Sequence, residues 1–201
     1  TQNSSSADLN MPAGSTVKYA RLIYGGRIHS GDGGAGNINL RSAKIRYGSG
    51  AGAYTSILVP ASQIDKVLVS GSDSAYQAYV DITSFVAAGG SGTYTLADIK
   101  AATGSIGSGG NYAGWAIEVV YENAALPFSS IRLYDGYIQV YNGGSATTQS
   151  IVLNGFNAPD NPLSASDAVM SIMAWEGDAN LAASNNNPAG DFVKINGNVV
   201  S

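Results

Sequence analysis

Three acidic residues near the end of the chain have the chemistry of a cation site. Glu176 and Asp178 directly follow an apolar run, and Asp191 opens another strand-like stretch after a loop rich in Asn and Ala. Calcium takes about six to eight oxygen ligands on adaptable backbone, and carboxylates beside Gly and Asn carbonyls supply them. The pattern therefore predicts a calcium site, and no other cofactor is indicated. A competing interpretation is that these acids form turns by bonding their own backbone, since no D-x-D-x-D-G loop is present.

His29 is the only histidine of the chain and could serve as a general base or a metal ligand. It has no cysteine partner, and no serine lies in a G-x-S-x-G nucleophile turn. A solvated loop histidine is the favoured interpretation. Beyond it, Gly31, Gly33 and Gly36 match G-x-G-x-x-G, but a strand-like stretch follows where dinucleotide binding needs the start of a helix. We interpret these glycines as a plain loop.

The remaining candidates for chemistry are a carboxylate pair and a set of tyrosines. Glu118 and Glu122 share one face of a strand, but at ~13 Å they lie too far apart for glycoside hydrolysis. No catalytic residue is therefore predicted, and we expect that the chain is not an enzyme. Tyrosines could form a sugar-binding platform, although cross-strand packing is the favoured interpretation. Six of the twelve tyrosines are candidates for this platform: Tyr19, Tyr24, Tyr47, Tyr54, Tyr76 and Tyr79.

The elements that must position these residues are strands. Apolar residues alternate through residues 114–122, which predicts a strand with Trp115 in the core. A turn at 123–127 leads to a second alternating stretch at 128–140, and together they predict a central hairpin. The run at 168–175 predicts a strand covered on both faces, with Trp175 buried.

Short strands and glycine-rich turns account for most of the remaining chain. A helix is predicted at 97–102 and a helical turn at 83–88 with Thr83 as its N-cap. Asn196-Gly197 predicts a type I′ hairpin. The fold class predicted is all-β, a β-sandwich or jelly roll with one or two short helical turns. Its other predicted strands are 16–28, 37–47, 54–59, 66–69, 76–82, 148–153 and 192–200.

Composition limits the partners. The 201 residues carry only 12% charged side chains and a net charge of −4, which argues against nucleic acid, where phosphate neutralisation dominates affinity. No apolar run is long enough for a bilayer, so membrane insertion is not expected. Because the chain begins with Thr1, we expect a mature product whose leader has been removed. We predict a single domain over 11–201, preceded by a flexible or strand-donating arm at 1–10.

Several long phrases resemble one protein family. They are similar to the large β-sandwich domain of bacterial cell-surface and adhesin-like secreted proteins, which often stands beside repeat-rich stalk modules. The resemblance implies an extracellular, non-enzymatic domain with an adhesive or structural role. Similar domains continue with further strands beyond the position of Ser201. The phrases are MPAGSTVKYARLIYGG (11–26), YQAYVDITSFVAAGGSGTYTLADI (76–99), YAGWAIEVVYENAALPFSSIRLYDGY (112–137), SIMAWEGDANL (171–181) and GDFVKINGN (190–198).

Two other functions compete with the adhesin interpretation. Ala7, Leu9 and Met11 are spaced by two, so an extended arm would point all three to one side and could donate a strand to another copy. The protein would then be a subunit of a self-assembling, pilus-like filament. The second alternative is a carbohydrate-binding module. The partners expected are other copies of the chain, neighbouring surface-protein domains, or surface glycans.

Overall fold

The computed structural model describes residues 3–29, 38–70, 73–104, 110–140, 148–156, 169–175 and 193–199. The chain divides into two compact units, Thr1–Asn157 and Ala158–Ser201. The sequence predicted one domain over 11–201, and truncation between the two units would test that prediction.

Two four-stranded antiparallel sheets make up the first unit. The first sheet has the order β1-β7-β3-β4, and the second has the order β5-β6-β2-β8. The second unit contains a two-stranded hairpin, β9-β10, in its described part. The strands are β1 Ser4–Leu9, β2 Thr16–Ile28, β3 Ser42–Tyr47, β4 Thr55–Leu58, β5 Ile64–Ser70, β6 Asp73–Asp81, β7 Gly92–Ala97, β8 Ala113–Glu122, β9 Lys194–Ile195 and β10 Asn198–Val199.

One buried cluster joins the two sheets. Leu22 and Tyr24 of β2 and Tyr76 of β6 belong to it from the second sheet, and Ile45 and Leu96 join it from the first. The hydroxyl of Tyr24 donates to the carbonyl of Leu40, 3.0 Å away, so the buried ring carries no unpaired donor. The predicted all-β fold class is confirmed, and both sheets contribute to a single core.

The outer face of the second sheet is covered by residues 128–140, here called the strap. Asp135 of the strap pairs with Arg21 of β2, and Gln139 donates to the carbonyl of Val69 at 3.4 Å. No backbone–backbone hydrogen bond joins the strap to the other described residues. The cover explains why Arg21 and Ile23 are buried although they point away from Leu22 and Tyr24.

Several predictions of local structure need correction. Residues 148–153 contain no strand, and Ile38–Arg41 form a helical turn where a strand was predicted over 37–47. The stretch 128–140 is the strap and not a strand, so β8 has only β2 as a neighbour and lies at an edge of its sheet. Residues 97–102 are not helical, because β7 runs to Ala97 and Asp98 has a positive φ of 61°. The run 169–175 contains no strand.

Helix α1 is the single turn Ile38–Arg41, and α2 is Thr83–Gly89. Of these short helices, α2 lies where the sequence predicted a helical turn and α1 does not. Ile82, not Thr83, is the N-cap of α2, because the Thr83 hydroxyl instead accepts from the amide of Ala20 at 2.9 Å. A 3₁₀ turn spans Ala61–Gln63. In the second unit, Asn196 and Gly197 have φ values of 50° and 87°, which confirms the type I′ hairpin.

Candidate functional site

The predicted arm is an edge strand of its own chain. β1 pairs antiparallel with β7, with Ser4 opposite Ala97 and Leu9 opposite Gly92. Ser4–Leu9 of the arm thus forms an ordered ladder with β7 in this structure. Donation of this strand to another copy stays a prediction, because a single chain does not test it.

The three proposed anchor residues lie along β7. Ala7 faces Tyr94, and Leu9 packs against the core cluster that joins the sheets. The amide of Met11 donates to the hydroxyl of Ser91 at 2.9 Å. The sequence therefore placed Ala7 and Leu9 correctly on one side of an extended strand, since alternation alone determines that side.

Polar side chains hold β1 on both of its faces. On the outer face, Ser6 and Thr95 share a hydrogen bond of 2.8 Å, and Thr93 donates to Asp8 at 2.7 Å. On the core side, the indole of Trp115 donates to the hydroxyl of Ser5 at 2.7 Å. Trp115 lies in β8 of the second sheet, so this bond links the edge strands of the two sheets.

Little of β1 is buried. Its first five residues are exposed, and only Leu9 is half-buried. The strand is therefore held by its ladder and by polar contacts, each of which contributes about 0.5–1.5 kcal/mol net. Removing it would expose far less apolar surface than removing any strand that lines the core.

The connection from β1 to β2 crosses from one sheet to the other. It is a tight turn in which the amide of Ser15 donates to the carbonyl of Pro12 at 3.2 Å, with Gly14 at a φ of 80°. The side chain of Asn123 donates to the carbonyl of Ala13 and to the hydroxyl of Ser15, both at 3.0 Å. A proline and a glycine in a short crossing connection are features of a hinge.

A shallow pocket lies beside β3 and β4 of the first sheet. Lys44 and Asp98 form an ion pair of 2.8 Å at this pocket, which has a volume of about 300 Å³. Asp98 has the left-handed φ of 61°, a conformation that costs a non-glycine residue free energy. The pocket is lined by Ser42, Ala43, Lys44, Ser56, Ile57, Leu58 and Asp98.

Asn3 holds Asp98 in that conformation. The carbonyl of Asn3 accepts from the amide of Asp98 at 3.0 Å. The Asn3 side chain accepts from the amide of Ile99 at 3.0 Å and donates to its carbonyl at 2.8 Å. The bend after β7 is thus fixed by a residue 95 positions earlier, which no local sequence signal could indicate.

The outer face of the first sheet is polar. Arg46 lies over the ring of Tyr54, with its guanidinium carbon 4.9 Å from the ring centre, and also donates to Thr95 at 3.4 Å. Together with Lys44 and Asp8, these residues present positive, negative and hydroxyl groups on one sheet face. Sequence alone indicates no partner for Lys44 or Arg46.

An ion-pair network lies between the second sheet and the strap. Arg21 contacts Glu118 at 2.7 Å and Asp135 at 3.4 Å, and its guanidinium lies 5.6 Å from the ring centre of Tyr79. Burial, followed by the charge of Asp135, raises the pKa of Asp65 above its usual value. Burial raises the pKa of Tyr137 in the same way. The network attaches the strap to the sheet.

His29 lies at one end of the second sheet. Its Nδ1 is 3.1 Å from a carboxylate oxygen of Asp73, whose other oxygen accepts from the buried Arg27 at 3.4 Å. Arg27 also donates to the carbonyl of Gly110 at 3.0 Å. The side chain of His29, which the sequence favoured as a solvated loop histidine, is 43% exposed and is paired with Asp73, a partner that the sequence did not indicate.

The other predicted site residues do not form one site. Glu176, Asp178 and Asp191 lie outside the described residues, so the calcium site stays a prediction. The described ranges contain no group of three or more possible metal-binding side chains. Glu118 pairs with Arg21, and Glu122 pairs with Lys18. The tyrosines are dispersed: Tyr24 and Tyr76 are buried, so they cannot belong to a surface platform.

Comparison with known proteins gives no relative. No family model matches the chain, and no curated protein and no solved structure matches it either. Within the described part of the chain, no helix is both long and apolar enough to cross a membrane. Function must therefore be argued from the geometry above.

Proposed function

We propose that this chain is a non-enzymatic, extracellular domain of a bacterial surface protein with an adhesive or structural role. The low content of charged residues and the resemblance of its long sequence phrases support this proposal. The paired state of Glu118, Asp73 and Asp98 supports it as well, because each of these carboxylates cross-links parts of the fold.

The exposed face of the first sheet is the observation that carries the proposal. The strap covers the second sheet, whereas Ser4, Ser6 and Asp8 of β1 are exposed on the outer side of the first. Lys44 of the same face is 44% exposed. A rigid sheet with mixed charges and hydroxyl groups suits contact with another polar surface, because such contacts depend on many complementary polar groups.

Immunolabelling of intact cells that produce the protein tests the extracellular location. Antibodies raised against the purified chain should label unpermeabilised cells, and brief treatment of those cells with protease should remove the label. Labelling that requires permeabilisation would contradict the proposal. An intracellular protein labelled in parallel reports whether the cells stayed intact.

Carbohydrate binding is a second candidate, favoured by the pocket at Lys44 and Asp98. A volume of about 300 Å³ lies at the lower end of the range of small-molecule sites. The carboxylate accepts hydrogen bonds, the ammonium group donates them, and Leu58 offers an apolar surface that is 56% exposed. A sugar can contact all three of these side chains. Its hydroxyls donate to the carboxylate and accept from the ammonium group, and the apolar C–H face of its ring can pack on the leucine.

Binding to an array of immobilised glycans tests this candidate. The wild-type chain should bind a defined subset of glycans, and a Lys44→Ala, Asp98→Ala variant should lose that binding. A Lys18→Ala, Glu122→Ala variant is the matched control, because it removes an exposed ion pair on the other sheet. Equal binding by all three proteins, or binding by none, would exclude the pocket as a glycan site.

A further inference from the structure

The edge position of β1 and its mainly polar contacts suit this strand to self-association. We propose that β1 is exchanged between copies, so that Ser4–Leu9 of one chain pairs with β7 of another. The occupant of the vacated edge is therefore a second copy of this chain. Exchange of this kind is independent of any ligand that the surface binds.

Release of β1 disturbs the core little. Five of its six residues are exposed, and Leu9 is its contact with the core cluster. Segments with few buried apolar contacts open at a lower free energy than the fold as a whole. β1 can therefore leave β7 while the remaining sheets stay folded.

Release of β1 leaves β7 with an unpaired edge, to which another strand can bind. β7 lies between β1 and β3, so loss of β1 leaves one side of β7 with unpaired amides and carbonyls. Such an edge readily pairs with another extended chain. Tyr94 and Leu96, which belong to the core cluster, lie on the strand that would become the edge.

A second copy supplies every contact that the first has lost. The bonds of Ser6 to Thr95, Asp8 to Thr93 and Trp115 to Ser5 join β1 to parts of the molecule that remain in place. Each bond can form between chains with the same geometry as within one chain. The equilibrium between closed monomers and exchanged assemblies then depends on the connection between β1 and β2 and on the local concentration of copies.

The connection between β1 and β2 gives this exchange its hinge. Residues 10–15 form a tight turn that crosses between sheets, with Pro12 restricting the residue before it and Gly14 in a left-handed conformation. Opening the turn releases that conformation and costs a small set of hydrogen bonds, those of Asn123 with Ala13 and Ser15, of Ser15 with Pro12 and of Met11 with Ser91. Short connections of this type favour exchange between protomers.

Disulfide trapping between two single-cysteine variants tests the exchange, because the chain contains no cysteine. Ser6 and Thr95 are directly opposed in the ladder, and their hydroxyl oxygens are 2.8 Å apart, a geometry that suits a disulfide. Ser6→Cys and Thr95→Cys proteins are mixed at high concentration, unfolded and refolded together, and then oxidised. Peptide mass spectrometry measures the crossed disulfide between position 6 of one chain and position 95 of the other.

The control pair is Ser6→Cys mixed with Thr55→Cys, because Thr55 lies on β4 at the opposite edge of the same sheet. Exchange predicts at least about tenfold more crossed disulfide in the test pair than in this control, because pairing raises the effective concentration of the thiols. A Ser6→Cys, Thr95→Cys double variant should also close the bridge within one chain when refolded at high dilution.

Two results would overturn the exchange. If the double variant closes its bridge but the mixed pair gives no more crossed product than the control, β1 pairs only within its own chain. If the double variant does not close its bridge, β1 does not occupy the edge of β7 at all. Immunolabelling of cells is unaffected by either result, so failure of the exchange and failure of the proposed surface role are distinguishable.

Discussion

At the scale of the residue, Trp115 shows what alternation can and cannot predict. The sequence placed it in the core, yet the structure leaves it half-buried, packed on the core cluster with its indole N–H directed to Ser5. Because β8 is an edge strand, one side of the ring lies near the opening between the sheets. Periodicity identifies the face of a strand, but not the position of that strand in its sheet.

Two substitutions separate the packing of Trp115 from its hydrogen bond. Trp115→Phe keeps most of the ring and should lower the free energy of unfolding by about 1 kcal/mol, the cost of one hydrogen bond. Trp115→Ala should cost about 3 kcal/mol, the lower end of the range for aromatic truncation, because the ring is not fully enclosed. Urea unfolding of both variants measures these losses. Equal losses would mean that the ring contributes nothing beyond its N–H.

Gly25 is required by the close approach of a neighbouring strand. A Cβ built on this residue would lie 2.2 Å from the carbonyl oxygen of Tyr76, a backbone atom that cannot move aside. Gly25→Ala should therefore destabilise the fold by about 3 kcal/mol, the upper part of the usual range for overpacking. Gly136→Ala is the control, since nothing lies within 4 Å of its Cβ. Thermal melts that coincide for the two variants would contradict the close approach.

Asp81 gives the fold a pH-dependent contribution at the start of α2. Its carboxylate accepts from the amide of Thr83 at 2.8 Å, and hydrogen bonds from Thr83 lower the pKa of Asp81. A carboxyl whose pKa is lower in the folded state stabilises the fold above its unfolded pKa, and this contribution disappears as the pH falls through the folded pKa.

Asp81→Ala should therefore cost about 1 kcal/mol at pH 7, a usual net value for losing one hydrogen bond. Its difference from wild type should shrink as the pH falls below about 4, the ordinary range of an aspartate. Urea unfolding at pH 7 and pH 3 measures both differences. A loss of equal size at the two pH values would show that the carboxylate charge is not involved.

At the scale of the element, the sequence predicted strands correctly where alternation and turn residues determine them. Its predictions failed where side chains from distant segments determine the structure. β2, β6 and the hairpin at Asn196-Gly197 follow from alternation and turn chemistry. The strap alternates like a strand, but Arg21 and Tyr79 of the sheet provide polar partners for its Asp135 and attach it to the sheet face. The bend at Asp98 depends on Asn3, which lies on a different strand segment.

The strap should loosen when its main ion pair is removed. Asp135 contacts Arg21 at 3.4 Å, and Arg132 of the strap is exposed and open to trypsin. Asp135→Ala should speed cleavage after Arg132 about fivefold, which corresponds to about 1 kcal/mol of easier opening. Arg41, which packs near the core and donates to Val59, should stay protected in both proteins. Unchanged cleavage after Arg132 would mean that other contacts hold the strap.

At the scale of the whole molecule, the buried residues are concentrated in the first unit. Every residue of the core cluster lies between Ala20 and Ile99. The described residues of the second unit include Val169, which is 85% exposed, and the small β9-β10 hairpin. Glu176, Asp178 and Asp191, which the sequence predicts to bind calcium, belong to the range of this second unit.

Truncation after Asn157 tests whether the first unit is a domain. The shortened chain keeps both four-stranded sheets, the strap and the whole core cluster, and apolar burial is the main source of stability. It should therefore unfold in one cooperative transition, with a midpoint within about 3 °C of the full chain, about the shift that a 1 kcal/mol change produces in a domain of this size. Circular dichroism and calorimetry measure the midpoint and its cooperativity. A truncated chain that melts much lower, or without a cooperative transition, would show instead that residues 158–201 complete the same domain, as the sequence predicted for 11–201.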